Sequence, residues 1–554
     1  MYPLAAPLFK KHTTSPPTSI TPRHRLFSLL QLEKNDLWVA VVFSLAIGVL
    51  SLAVPVATQA LVNTIAFGTV LQPLLILSLL VLGLLMVSAF LQVVRFRVVE
   101  LLQRRVLVRL SSESIHRLLN CRTDVLRLQN GPELVNRFLD IVIVQKASAT
   151  LLVDGLSVFT QTIAGMALLG IYHPWLLAFD IVLLAALLIV IFPLGIGAIY
   201  TSVKESKAKY ALVGWLEEIA RNSTTFRATA PAQFASSRCD DLVKEYLNYR
   251  SRHFRILLRQ FGGSLFLQAL ASAALLGVGG MLVIQRELTL GQLVAAELVV
   301  SAVLAGISKL AKHLETFYDL MASLDKLGTL SDLPAETSGE ELSPGTGPAS
   351  ILVRSPNYQL AVPARQKLAL RGGSGSGKSV LLDAISGYAD LPGTTVELDG
   401  ADIRNLRLRE LRAQIALVRG IELFHGTILE NVRVGRDLSA AQVRTSLDQV
   451  GLWSAIHELP EGLNTVLATG GPPLSQGQKQ ALMMARAIIG APRLLIIDEA
   501  LDNIQDSDER DLFRNILFAP EAPWTLLLVT AREDLMGCCD RVLNLTRNGL
   551  QEAA

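Results

Sequence analysis

Residues 368–385 read LALRGGSGSGKSVLLDAI: an apolar run, a glycine-rich loop, then a second apolar run at helical spacing. The order predicts strand, phosphate-binding loop and helix. The small residues Gly372, Gly373, Ser374, Gly375, Ser376 and Gly377 let backbone N–H groups approach an anion, and the following helix turns the positive end of its dipole to the same point. Lys378 would reach the terminal phosphates of ATP, and the Ser379 hydroxyl would ligate Mg²⁺. Val380 stands where a further hydroxyl is expected, so one contact to phosphate is lost.

A partner stretch lies downstream in PRLLIIDEA, Pro492–Ala500. Its apolar strand would deliver Asp498 to the second coordination sphere of the metal, and Glu499 could polarise an attacking water. An ordinary buried strand ending in two acids is the bland alternative; the glycine loop upstream favours the chemical reading. Residues 350–554 have ordinary globular composition and are expected to form an α/β P-loop domain.

The rest of the chain is different in kind. Mean hydropathy is +0.42 over 554 residues, 51% of which are hydrophobic and only 18% charged. Crossing a bilayer takes roughly 20 apolar residues per helix. Six segments meet that length: Leu37 to about Ile65, Leu71–Val94, Thr150–Ile171, Trp175–Tyr200, Phe261–Ile284 and Leu288–Leu310. Lys and Arg crowd the two long connections, from Arg95 to Lys146 and from Lys204 to Arg250, while only Arg286 is basic in the opposite loops. Both connections and both termini are therefore expected on the cytosolic side. The connections read as helix with apolar periodicity, interrupted by turns at Leu128–Phe138 and Glu205–Asn222.

A net charge of +3 is too small to point to nucleic acid. The four cysteines, Cys121, Cys239, Cys538 and Cys539, imply neither a disulfide framework nor a zinc site. Residues 1–24 read as a flexible cytosolic lead-in, 25–333 as the membrane domain and 334–349, rich in Gly, Pro and Ser, as a linker. Arg25–Leu32 is amphipathic enough to lie on a membrane surface. Asp154, Asp180 and Glu297 fall in or near spans, where an ionisable group needs a partner, a cavity or the interface; for Asp180 interfacial placement is the preferred reading.

Between the two nucleotide motifs stands PPLSQGQKQALMMARAII, with Leu474, Ser475, Gln476, Gly477 and Gln478 leading into a helix. Here the chain resembles the signature motif of ATP-binding cassette proteins, and NGPELVNRFLDIVIVQ and LTLGQLVAAELVV resemble parts of their exporters. The resemblance covers about residues 25–550. It implies an α-helical polytopic membrane domain of six spans fused to an α/β ATPase domain, a half-transporter of the cytoplasmic (inner) membrane. Ser475 and its neighbours would then bind the γ-phosphate held by a second subunit's glycine loop, in a homodimer or heterodimer. The general look is nearest to peptide, bacteriocin and toxin exporters, with a periplasmic adaptor as a possible partner.

Against the family's pattern, the Q-loop glutamine falls on Arg419, the D-loop aspartate on Gln505 and the switch histidine on Ala531. The adenine-stacking aromatic would fall near Pro348. Binding groups are thus kept while water-positioning groups are lost, which predicts a slow or atypical ATPase with Glu499 as its catalytic residue. A regulatory ATP-binding membrane protein and the weak half of a heterodimer are the competing readings.

Overall fold

The computed structural model describes residues 21–66, 71–128, 131–342, 345–502, 504, 506–546 and 549–552. Two compact units divide the chain: one reaches Cys121 and resumes to end at Leu333, the other joins Arg122–Leu128 to the chain from Pro334 onward.

The first unit is all helix. Five helical segments are long and apolar enough to cross a membrane: Lys34–Thr64, Leu74–Leu119, Leu134–Tyr172, Pro174–Ile191 and Thr229–Ile284. The sixth expected span is the N-terminal part of helix Leu290–Ser331, whose described apolar stretch, Leu290–Gly306, is shorter. Thr289 opens that helix with a capping box, its hydroxyl accepting from Gln292 N at 3.1 Å while Gln292 Oε1 accepts from Thr289 N at 2.8 Å. Two helices run far beyond bilayer thickness: Leu71–Leu119 has 49 residues and Thr229–Ile284 has 56. At 1.5 Å per residue these reach roughly 70–85 Å, so the basic connections are continuations of the spans and not loops.

Two local expectations need correction. Glu205–Asn222 is not a turn: helix Ala198–Arg221 runs through it and the chain turns over 222–228. The stretch is rich in Ala, Lys, Glu and Leu, good helix formers that outweigh its single interior glycine. Conversely, the fourth span is not continuous to Tyr200. Its helix stops at Ile191, a turn occupies 192–197, and Gly197 adopts φ +86° before the next helix starts at Ala198. Pro193 lacks an N–H and its ring crowds the carbonyl four residues back. The freed backbone is served by a side chain: Gln260 Nε2 donates to Ile191 O at 3.1 Å and lies 3.0 Å from the Tyr318 hydroxyl. The other sequence-predicted turn carries short helices at Gly131–Asn136 and Arg137–Leu139.

Among the ionisable groups of the spans, Asp180 is only 1% exposed, with neither carboxylate oxygen hydrogen-bonded to protein. It is enclosed by protein six residues into helix Pro174–Ile191. Asp154 is exposed within a π-helical turn, Leu151–Gly155, and Glu297 accepts from Ser301 Oγ at 3.3 Å.

The second unit is α/β. A six-stranded sheet runs Gly549–Glu552, Arg541–Thr546, Lys367–Arg371, Thr525–Val529, Leu494–Asp498, Ile415–Arg419. Pairing is parallel except for the first pair. Its central strands read as unbroken apolar runs, as strands covered on both faces must: every residue of Leu494–Asp498 and Thr525–Val529 is buried. A separate antiparallel sheet is built from Tyr358–Val362, Ile351–Ser355, Thr395–Leu398 and Ala401–Asp402. Parallel alignment brings the carboxyl ends of five strands to one edge, and the site lies there.

Candidate functional site

Strand Lys367–Arg371 runs into the glycine loop and then helix Lys378–Ile385, the order expected from sequence. Gly377 caps that helix at φ +96°, a left-handed conformation that a side chain would strain. Lys378 folds back over the loop, its Nζ donating to Gly372 O at 2.8 Å and Gly373 O at 3.3 Å. The ammonium is thus held at the mouth of the cradle. Ser376 Oγ is buried without a hydrogen-bond partner. Ser379 is exposed, and Val380, 48% exposed, makes no polar contact on the outer face of the helix.

Register fixes the acids. Val529 and Arg419 flank Asp498 as its partners on the two neighbouring strands, so Asp498 is central and only 5% exposed. The chain leaves the strand at Glu499 with φ +56° and its N–H bound to Val529 O at 2.8 Å. A non-glycine residue in this region is strained, a condition found at functional sites where the surroundings hold it. The turn swings the Glu499 carboxylate outward, 61% exposed, with Oε1 3.8 Å from Lys378 Nζ.

Arg419 occupies the middle of the site. Its Nε donates to Asp498 Oδ2 at 2.5 Å, Nη1 to Asp383 Oδ1 at 2.8 Å and Nη2 to Ser379 O at 3.1 Å. Burial pulls its pKa down, but the hydrogen bonds and charges of Asp383 and Asp498 outweigh this and hold it above the ordinary value. These contacts bear on Mg²⁺. Asp498 has one oxygen committed to a guanidinium and the other buried without a partner. Ser379 and Asp498 therefore do not fit a divalent cation as they stand, because a fixed positive charge already lies inside the donor set.

The signature residues take up the start of helix Gln476–Ile488. Ser475 is its N-cap in a capping box with Gln478, with Ser475 N to Gln478 Oε1 at 2.9 Å and Gln478 N to Ser475 Oγ at 3.3 Å. Leu474 anchors the entry, 7% exposed, while Ser475 and Gln476 face outward. An open cleft of about 340 Å³ is lined by Arg419, Gln476, Gln480, Asp498, Glu499 and apolar neighbours. The glycine loop, the acid pair, Arg419 and this helix thus belong to one edge of one unit.

Ala531 follows strand Thr525–Val529, as its sequence position suggests. Its N–H donates to Asp502 Oδ2 at 3.0 Å, and Thr530 Oγ1 donates to Asp502 Oδ1. Sequence reasoning passed over Asp502 and Asp383, since neither stands in a spacing that separates it from an ordinary helix or turn acid. Gln505 lies outside the described residues. Pro348 lies in the loop before the antiparallel sheet, with no aromatic beside it in sequence.

Residues 37–307 match the family described as the ABC transporter transmembrane region, and residues 356–502 match the one described as ABC transporter. A protein of Desulfotalea psychrophila named ATP-dependent lipid A-core flippase is 28% identical over 400 residues, 68% of this chain and 69% of that one. The iron-sulfur clusters transporter ATM1 of Debaryomyces hansenii is 31% identical over 224 residues, 40% of this chain and 32% of that protein, so this chain spans about a third of its length. A solved structure described as a bacterial Atm1-family ABC exporter with ATP bound shares the fold, with a TM-score of 0.82 at 19% identity over 94% of this chain and 95% of that one.

Proposed function

Because the chain belongs to the ABC transporters, joining that family's transmembrane region to its ATPase domain in one multi-pass membrane protein, we propose that it works as an ATP-driven exporter assembled from two half-transporters. The observation that carries this is the 3.8 Å approach of Lys378 Nζ to Glu499 Oε1 at the end of the parallel strands. A phosphate-binding cation and an outward-facing carboxylate stand together where the terminal phosphate of ATP would lie. Lys378 and the loop N–H groups would bind the phosphates, and Glu499 would accept a proton from the attacking water. Ser475 and the free N–H groups of its helix would complete the site of a second copy, so ATP would draw two chains together and shift the membrane helices.

Export, the dimer and an inner-membrane location rest on the family arrangement. A peptide or toxin cargo and a periplasmic adaptor rest on the sequence resemblance alone; the two relatives above carry names for a lipid and for iron–sulfur clusters. Magnesium would enter only as the ion that accompanies ATP in solution. The regulatory reading is favoured by one observation, Arg419 lying across Asp498, which slows or stops turnover in that reading.

The test is ATP binding and hydrolysis by the purified full chain. Lys378→Ala should lose ATP binding, while Glu499→Gln should keep it and lose turnover by about a hundredfold or more. A parent that binds ATP but never releases ADP would favour the regulatory reading; binding unchanged in Lys378→Ala would remove the nucleotide site from this loop.

A further inference from the structure

The two buried acids of the nucleotide site share one arginine. Asp498 and Asp383 are 5% and 7% exposed, and both give an oxygen to Arg419, whose third donor goes to a main-chain carbonyl. Each of the three guanidinium nitrogens donates to a protein acceptor, which uses three of the five N–H groups. Strand pairing places Arg419 directly beside Asp498, so this is a consequence of the backbone and not of a wandering side chain. Withdrawing the guanidinium would leave the buried Asp498 carboxylate, whose other oxygen has no hydrogen-bond partner, without the cation that neutralises it, an expensive state. It is therefore a fixed cation, and arginine does not lose its proton in proteins.

We propose that Arg419 takes the electrostatic place of a protein-held divalent cation in this ATP site, so that the chain binds the triphosphate with its own positive charge. This rests on the ATP-binding reading above. A metal ion drawn to Asp498 would share that carboxylate with Arg419 and lie close to a permanent positive charge. The phosphates instead meet the Lys378 ammonium at the loop and the field of Arg419 behind it. Arg419 acts as a positioning residue: each of its guanidinium nitrogens is held by a protein acceptor, so it sets the charge of the site from a fixed place.

The experiment measures ATP affinity of the full-length protein in detergent or nanodiscs, with excess Mg²⁺ and with EDTA. The parent should bind equally well in both, within about threefold, whereas Arg419→Gln should bind about tenfold or more tightly with Mg²⁺. Arg419→Lys keeps the charge and should behave like the parent. Mn²⁺ titrations followed by electron paramagnetic resonance give a readout without any variant: the ATP-loaded parent should hold Mn²⁺ no more tightly than free ATP does. The proposal is overturned if the parent's affinity rises tenfold with Mg²⁺, if Arg419→Gln stays insensitive, if Arg419→Lys becomes metal-dependent, or if the parent tightens Mn²⁺ tenfold. ATP bound only with Mg²⁺ would leave the transporter reading standing; no ATP binding in any condition would remove both.

Discussion

Lys326 carries a charge into the protein interior. It is 4% exposed, and its ammonium lies 4.4 Å from the ring centre of Tyr210. Burial first, then repulsion from Arg137, lowers its pKa from 10.5 to about 8, with Asp140 opposing the shift. The folded state therefore gives up the proton before the unfolded chain does. Below the folded value both states are charged and the penalty is complete. From there up to the unfolded value the unfolded chain holds more proton, so stability rises with pH. Thermal unfolding of the parent between pH 8 and 10 should show a rise that Lys326→Met lacks; parallel curves would contradict it. At this scale the sequence was an uneven guide. Lys378 and Glu499 announce themselves through glycines and an apolar strand, while Asp383, Asp502 and Lys326 matter through neighbours far away in the chain.

The broken fourth span shows what an element requires of its surroundings. A helix that stops at Ile191 leaves carbonyls without intrahelical donors, which is costly where no water reaches. Gln260, 1% exposed, supplies the missing donor to Ile191 O, and Tyr318 accepts its second N–H. Gln260→Leu should lower stability by about 1–3 kcal/mol, the cost of a buried polar group left unpaired, read as a fall in the thermal midpoint of the purified protein. No fall would mean the backbone finds another partner. Pro193 and Gly197 are legible in the sequence as a weak point; the rescuing glutamine, some seventy residues on, is not.

For the whole molecule the distribution of Lys and Arg predicts direction across the membrane. A cysteine at Arg286, in the short turn after helix Thr229–Ile284, should react with an impermeant maleimide from outside intact cells in a cysteine-free background. One at Ser206, in helix Ala198–Arg221, should react only after the cells are opened. Labelling of Ser206 from outside would invert the orientation drawn from charge.

Local and additive properties were decided by the sequence alone. Apolar runs of bilayer length, basic connections, a strand–glycine–helix order and a capped signature helix each depend on residues within one stretch, where propensity and periodicity act. Tertiary structure decided what depends on pairing between distant stretches. That Arg419 lands beside Asp498 follows from the register of two parallel strands about eighty residues apart. Its consequence, a guanidinium set among the acids expected to receive a metal, is a matter of charge at a few ångströms, and only the folded chain determines that separation.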